Sequence, residues 1–273
     1  MPVDVNRLRS EGVYEAREPV ASLTDDLYQV QRLASDWHSS RRKLSACGAA
    51  CILLGLFTFF GFVPGGLALL GIGIWLLYHM KVYPAPVANH MERCEFGRSI
   101  AAMLAADTDP KELVTMRLVF EPKEEVLSEV PLKGYKNGKQ RLFRVCWFSI
   151  SAKLYDGTTF SETVEDVVRE RKYTSTRGKR KTKTRTRSLI GLRLDYPSER
   201  YGDVSALQAR MRTEMYLPEG VKVRGVEVND RAIKAKIVAQ AIGIPQLVKV
   251  NSMLALGIYR VLNLSLQKRG GKP

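Results

Sequence analysis

Apolar and polar positions fall into blocks of different period. Leu27, Val30, Ala34 and Trp37 recur at helical spacing, behind a helix start at Ser22-Leu23-Thr24-Asp25. The 35 residues from Leu44 to Tyr78 then carry no charged side chain. Beyond Pro84 and Pro86, a second helical stripe runs through Met91, Cys94, Ile100 and Leu104 and ends near Asp107–Pro110.

From about Leu113 the period falls to two. Thr115–Glu121 reads as a strand. Lys136-Asn137-Gly138-Lys139 and Asp156-Gly157 are hairpin turns, and Leu142–Tyr155 between them is rich in β-formers. Thr158–Val168 runs back, and Ile190, Leu192, Leu194 and Tyr196 alternate on a later strand. Asp203 can cap a short helix carrying Val204, Leu207, Met211 and Met215. Val221–Val228 and Ala232–Val238 form a last hairpin, and Ser252–Gln267 a closing helix over the sheet.

The uncharged run sets the architecture. As one helix it would be about 52 Å long, against a hydrocarbon core of about 30 Å. Val63-Pro64-Gly65-Gly66 lies near its middle and favours a turn. The run therefore divides into spans Leu44–Phe62 and Leu67–Tyr83. Leu, Ile and Phe favour insertion by about 0.3–0.6 kcal/mol each, and the first span is rich in them. Arg41, Arg42 and Lys43 precede the run, Lys81 follows it, and no cation lies in the turn. Positive flanks stay on the cytoplasmic side, which puts both termini there. Trp75, Tyr78 and Tyr83 suit the interface. Cys47, Cys51 and Gly55 form a row of small residues for close helix packing, with Gly73 on the facing helix. A soluble core hairpin and a single tilted span are the competing readings. A signal peptide does not fit a run this long that begins after 43 residues.

The expected fold is an α+β membrane protein. Residues 1–43 form an N-terminal cytosolic segment with an amphipathic helix. Residues 44–83 form a transmembrane helical hairpin with its turn at 63–66, and 84–110 a second amphipathic helix. Residues 111–273 form a β-rich cytosolic domain, an antiparallel meander with a closing helix. The two amphipathic helices leave the same membrane face, so they pack as a stalk or against copies in a homo-oligomer. The expected location is a bacterial inner membrane.

Charge alters this picture at one place. The chain carries a net +15. Residues 1–46 hold seven basic and seven acidic groups, so the excess lies beyond the uncharged run. Arg169–Arg187 alone holds ten basic residues and one acid, Glu170. They are Arg169, Arg171, Lys172, Arg177, Lys179, Arg180, Lys181, Lys183, Arg185 and Arg187, interleaved with Thr182, Thr184 and Thr186. On a strand, period two puts a row of cations on one face and hydroxyls on the other. The threonines share parity with Ile190, Leu192 and Leu194, so theirs is the core-side face, carried past the core's edge. The run is then a hairpin tip with a turn near Arg177-Gly178. It serves as a solvated guard on a sheet edge, or binds anionic lipid, an acidic protein surface, or the phosphates of nucleic acid. Only Tyr173 is interleaved with the cations, too few aromatics for base-specific reading.

Catalytic signals are sparse. His38 and His79 flank the uncharged run, and His90 and Cys94 sit one helical turn apart without a second ligand pair. Gly134–Lys139 departs from a phosphate loop in spacing and context. Cys146 falls on a strand that reads as buried, and Glu162, Glu165 and Asp166 read as acids balancing the basic run. No catalytic residue, cofactor or metal is assigned. The sequence points to a membrane-anchored, non-enzymatic interaction or assembly protein, or to a module that binds anionic lipid or nucleic acid through 169–187.

Overall fold

The computed structural model describes residues 3–79, 87, 90–132, 134, 138–175, 178–201, 204, 207–214, 217–240 and 242–266. Lys81, Tyr83, Pro84, Pro86, Lys136, Asn137, Arg177, Asp203, Met215 and Gln267, which figure in the sequence reading, lie outside them. The fold is mixed α and β, with a long apolar helix near the N-terminus and one antiparallel sheet.

Helix α1 (Val5–Glu11) is capped by the Asp4 side chain, which accepts from the Arg7 amide. Gly12 ends it at φ +63, a left-handed conformation that glycine adopts without strain, and its amide donates to the Leu8 carbonyl. The chain passes directly into β1 (Val13–Glu18). The sequence reading assigned no strand here. Its partner, β2 (Val114–Val119), lies about a hundred residues downstream, and the edge position needs no long apolar alternation.

Helix α2 runs unbroken from Val20 to Phe59, 40 residues and about 60 Å. Its first half buries Leu23, Leu27, Val30, Ala34 and Trp37. Helix α3 (Val63–His79) packs back on its second half. The turn is therefore Phe60–Phe62, slightly earlier than 63–66. Pro64 and the two glycines after it open α3 instead of breaking the chain. Proline suits the first turn of a helix, where its missing N–H would have no partner anyway.

Helix α4 (Glu92–Ala105) buries Cys94, Phe96, Ile100 and Leu104. The remaining strands are β3 (Glu125–Pro131), β4 (Lys139–Lys153), β5 (Thr159–Thr174), β6 (Arg180–Asp195), β7 (Val221–Val228) and β8 (Ala232–Gln240). The sheet order is β1-β2-β4-β5-β6-β8-β7, with β3 also pairing β4. Only β4-β5-β6 is a simple meander. At the Asp156-Gly157 turn, Gly157 has φ +86. After α5 (Gln208–Glu214), the last helix, α6 (Ile244–Asn263), begins earlier than Ser252, with Pro245 in its first turn.

Helices α2, α4 and α6 cover one sheet face in a shared apolar core. Registered rows such as Leu118, Phe148, Val164, Ile190 and Ile237 run across the strands beneath them. The α2 and α4 stripes are thus satisfied within the chain, not in a separate stalk. A bulge between Cys146 and Phe148 turns two successive aromatics inward. Trp147 and Phe148 both pack on Phe96, at centroid distances of 5.2 and 4.9 Å. The same bulge leaves Cys146 exposed, contrary to the sequence reading.

Candidate functional site

Strands β5 and β6 outrun the helices that cover them. The core side of β5 is buried through Phe160, Glu162, Val164 and Val168, where the core ends. Beyond it β5 and β6 continue as a ribbon with Arg169 opposite Arg185, Arg171 opposite Lys183 and Tyr173 opposite Lys181, flanked by β4, which pairs with β5 out to Lys139–Lys172, and by β3, which pairs with β4 out to Pro131–Lys139. Directly opposed residues share a face. Arg169, Arg171, Lys181, Lys183, Arg185 and Arg187 therefore stand together on the face away from the helices. Thr182, Thr184 and Thr186 lie on the helix side, as parity requires. Lys172 and Arg180 have the parity of the threonines. They pair with Thr182 and Thr174, on the threonine face, and Lys172 contacts Glu170 at 2.9 Å. Lys179 lies just before β6, its carbonyl accepting from the Ser175 amide at 2.9 Å, and Gly178 beside it has φ +75.

The cationic face is electrostatically unrelieved. Among the described residues, none of Arg169, Lys181, Lys183, Arg185 and Arg187 has an ion-pair partner. The Arg169 guanidinium is held below its ordinary pKa, chiefly by Arg171 and further by burial, Arg185 and Arg187. It remains charged at any physiological pH. Arg171 Nε donates to Gln140 Oε1 at 2.7 Å, which fixes that side chain along the ribbon. The acids nearby serve other ends. Asp166 accepts from the Ser188 hydroxyl at 2.7 Å, and Glu165 approaches Arg144 at 3.5 Å.

Glu162 does not balance the basic run, contrary to the sequence reading. It is fully buried beneath α6, in a row with Met116, Ile150, Leu192 and Ala235. Asn251 Nδ2 donates to its Oε2 at 2.9 Å. Burial raises its carboxyl to about 8, partly opposed by that hydrogen bond. Glu162 Oε1 and Asn251 Oδ1 have no partner while both are acceptors only. A proton on Oε1 would turn that oxygen from an acceptor into a donor. Alternation alone placed this acid on the core face. The missing signal was the helix that supplies Asn251 from 89 residues away.

A cavity of about 470 Å³ opens at the opposite end of the sheet, lined by Leu104, Asp156, Phe160, Arg200, Tyr201 and Tyr259. Asp107 and Asp156 both line it, and the Asp156 carboxylate is already committed. Asp156 accepts from the Thr158 amide and hydroxyl, each at 2.8 Å, and from Tyr201 Oη at 2.6 Å. Tyr201→Phe should therefore act on stability, lowering it by about 1 kcal/mol in a urea titration. A loss below measurement error would contradict a structural role for this bond. Among the described residues, no group of three His, Cys, Asp or Glu side chains is placed to hold a metal. Cys94 is buried and its thiol is pushed up to about 12, mainly by burial.

The apolar helices form the second distinctive surface. Phe57 and Phe60 are 86% and 92% exposed, and Leu53, Leu67, Ile74 and Trp75 are all more than half exposed. Helix α2 is long and apolar enough to cross a membrane, and only 11% of its most apolar stretch is buried. Helix α3, at 17 residues, is shorter. The two meet through Gly48 and Gly55 on one side and Gly66 and Gly73 on the other. A Cβ on Gly55 would meet Leu70 and the Gly66 carbonyl oxygen, and one on Gly73 would meet Ile52 and the Gly48 carbonyl oxygen. Cys47 is exposed and Cys51 half-buried, because the contact row is displaced by one residue, to Gly48. No protein-family model, curated protein or solved structure matches the chain.

Proposed function

We propose that this protein is a membrane-anchored interaction or assembly protein. The α2–α3 hairpin inserts in a bilayer and holds the sheet domain at its cytoplasmic face. The basic ribbon engages an anionic surface. The observation that supports the anchor is the continuous apolar exposure around the paired helices, from Leu53 through Tyr78. In water such a surface would drive aggregation. In hydrocarbon it needs no cover, and the helical backbone satisfies its own hydrogen bonds. The cations Arg41, Arg42 and Lys43 sit before the apolar half and support cytoplasmic termini.

Binding is favoured over catalysis because the buried acids Asp26 and Glu162, and Asp156 in the cavity, are each engaged within the chain. The proposal is tested on membranes that contain the full-length chain. The protein should stay in the pellet through an alkaline carbonate wash and float with vesicles. A reporter inserted at Gly61 should be outside, and one at the C-terminus in the cytoplasm. Release by carbonate would overturn the anchor. Reporters on opposite sides of the bilayer from these would overturn the topology.

A further inference from the structure

We propose that the basic ribbon lies on the anionic headgroups of the same bilayer that holds the hairpin. This rests on the anchor proposed above and names the partner of the cationic face.

The placement follows from chain direction. Strand β1 starts opposite Val119 and ends opposite Val114. In β2, Leu118 lies beside Phe148 and Thr115 beside Ser151. So β1 ends toward the Asp156 turn, the end of the sheet away from the ribbon. Helix α2 begins there and runs back. By Trp37 it has reached α1, where Arg9 lies 5.8 Å over the indole ring, at the end where β1 starts. Helix α4 runs the opposite way. Its first turn, at Arg93, donates to the carbonyls of Val119 and Phe120 and lies over Trp147. Its last residues reach the Asp156 turn, where the Tyr155 amide donates to Asp107. The part of α2 that leads into the hairpin and the first turn of α4 therefore lie at the same end of the sheet, the end where β5 and β6 project.

Reach agrees with this. From Trp37 to Leu44, the first uncharged residue, α2 advances about 10 Å. From Ser188 to Arg180 the ribbon extends about 26 Å. A ribbon leaving the same end is long enough to arrive at the headgroup level marked by Arg41, Arg42 and Lys43. It presents six cations on one face, with Tyr173 as the aromatic among them. A cationic face with one aromatic among its cations suits phosphate-bearing headgroups better than unstacked bases. Tethering adds to this, because the hairpin keeps the ribbon beside that surface at high effective concentration.

The test uses the full chain in nanodiscs of phosphatidylcholine alone, or with about 30% phosphatidylglycerol. Lysine acylation rates are read by mass spectrometry. Lys181 and Lys183 should react about threefold or more slowly in the anionic discs, and recover in about 0.5 M NaCl. Lys234 and Lys236 share the face but pair with the far part of β6, at Arg193 and Gly191, and should not change. Equal rates in both discs, with the chain retained, would overturn the ribbon's partner and leave the anchor standing. Protection only on adding duplex DNA would overturn it in favour of nucleic acid. A chain that elutes apart from both discs would overturn the anchor, and the inference with it.

Discussion

Gly66→Leu should loosen the α2–α3 hairpin, while Gly71→Leu should leave it intact. A Cβ built on Gly66 would lie 2.7 Å from Phe59 Cα, 2.8 Å from Phe59 N and 2.9 Å from the Gly55 carbonyl oxygen. These are backbone atoms, so no rotamer change relieves the overlap. The helices must separate, and separation also opens the contacts of Gly55 with Leu70 and of Gly73 with Gly48. Overpacking of this kind costs about 1–3 kcal/mol. Gly71 has no neighbour within 4 Å of the same added carbon. The measurement is amide hydrogen exchange across α3 in detergent micelles. Gly66→Leu should speed exchange about tenfold, and Gly71→Leu should match the wild type. Equal exchange in the two variants would refute the close backbone approach. Gly73→Ala should fall between them. Its Cβ meets Ile52 Cγ1, which can move, and the Gly48 carbonyl oxygen at 2.9 Å, which cannot.

Glu162→Gln should stabilise the protein at pH 8 and change it little at pH 5. The folded-state carboxyl is raised to about 8, chiefly by burial, against about 4.3 in an unfolded chain. Between those values the folded state holds a proton that the unfolded state has released. Stability therefore falls as pH rises, by at most about 1.4 kcal/mol per pH unit, and levels off once the folded carboxyl has ionised. The contribution is fully present below the unfolded value and is lost by about pH 8. Among the described residues, burial and the Asn251 hydrogen bond are what set this balance. Its row neighbours on β4 and β6 are Ile150 and Leu192, and α6 presents Asn251. Glutamine keeps an oxygen to accept from Asn251 Nδ2 and has no carboxyl to ionise. Melting temperatures of the two proteins should thus converge near pH 5 and diverge toward pH 8. Parallel curves across that range would rule out a protonated acid in the core. Asn251→Leu gives an independent check. It removes the donor to Glu162 and should destabilise by about 1–3 kcal/mol across the range.

These two positions show where the sequence stops being informative. Glu162 falls in an alternating strand, and its parity with Phe160 and Val164 already assigns it to the core side. The charge-balance reading ignored that parity in favour of proximity to the basic run. Gly48 was passed over for Cys47 because a row of small residues has no phase until the helices are set against each other. One residue rotates the contact by about 100° on a helix. The turn lies before Val63 instead of at 63–66 for a related reason. Proline and glycine mark both the end of one helix and the first turn of the next, and only the path of the chain distinguishes them.

Features that repeat along the chain are legible in its residues alone. These are the uncharged run and its cationic flank, the period-two strands, and the alternation of threonine and cation. Each is a property of neighbours, so composition and spacing carry it. Tertiary structure decided what depends on distant partners. It made α2 one rod serving both the core and the apolar hairpin. It joined β1 to β2 across the hairpin, and gave Glu162 its amide from α6. It also brought the cations of two strands onto one face, at the end from which the apolar helices leave. Register and chain direction are relations between segments far apart in sequence, and no local pattern encodes them.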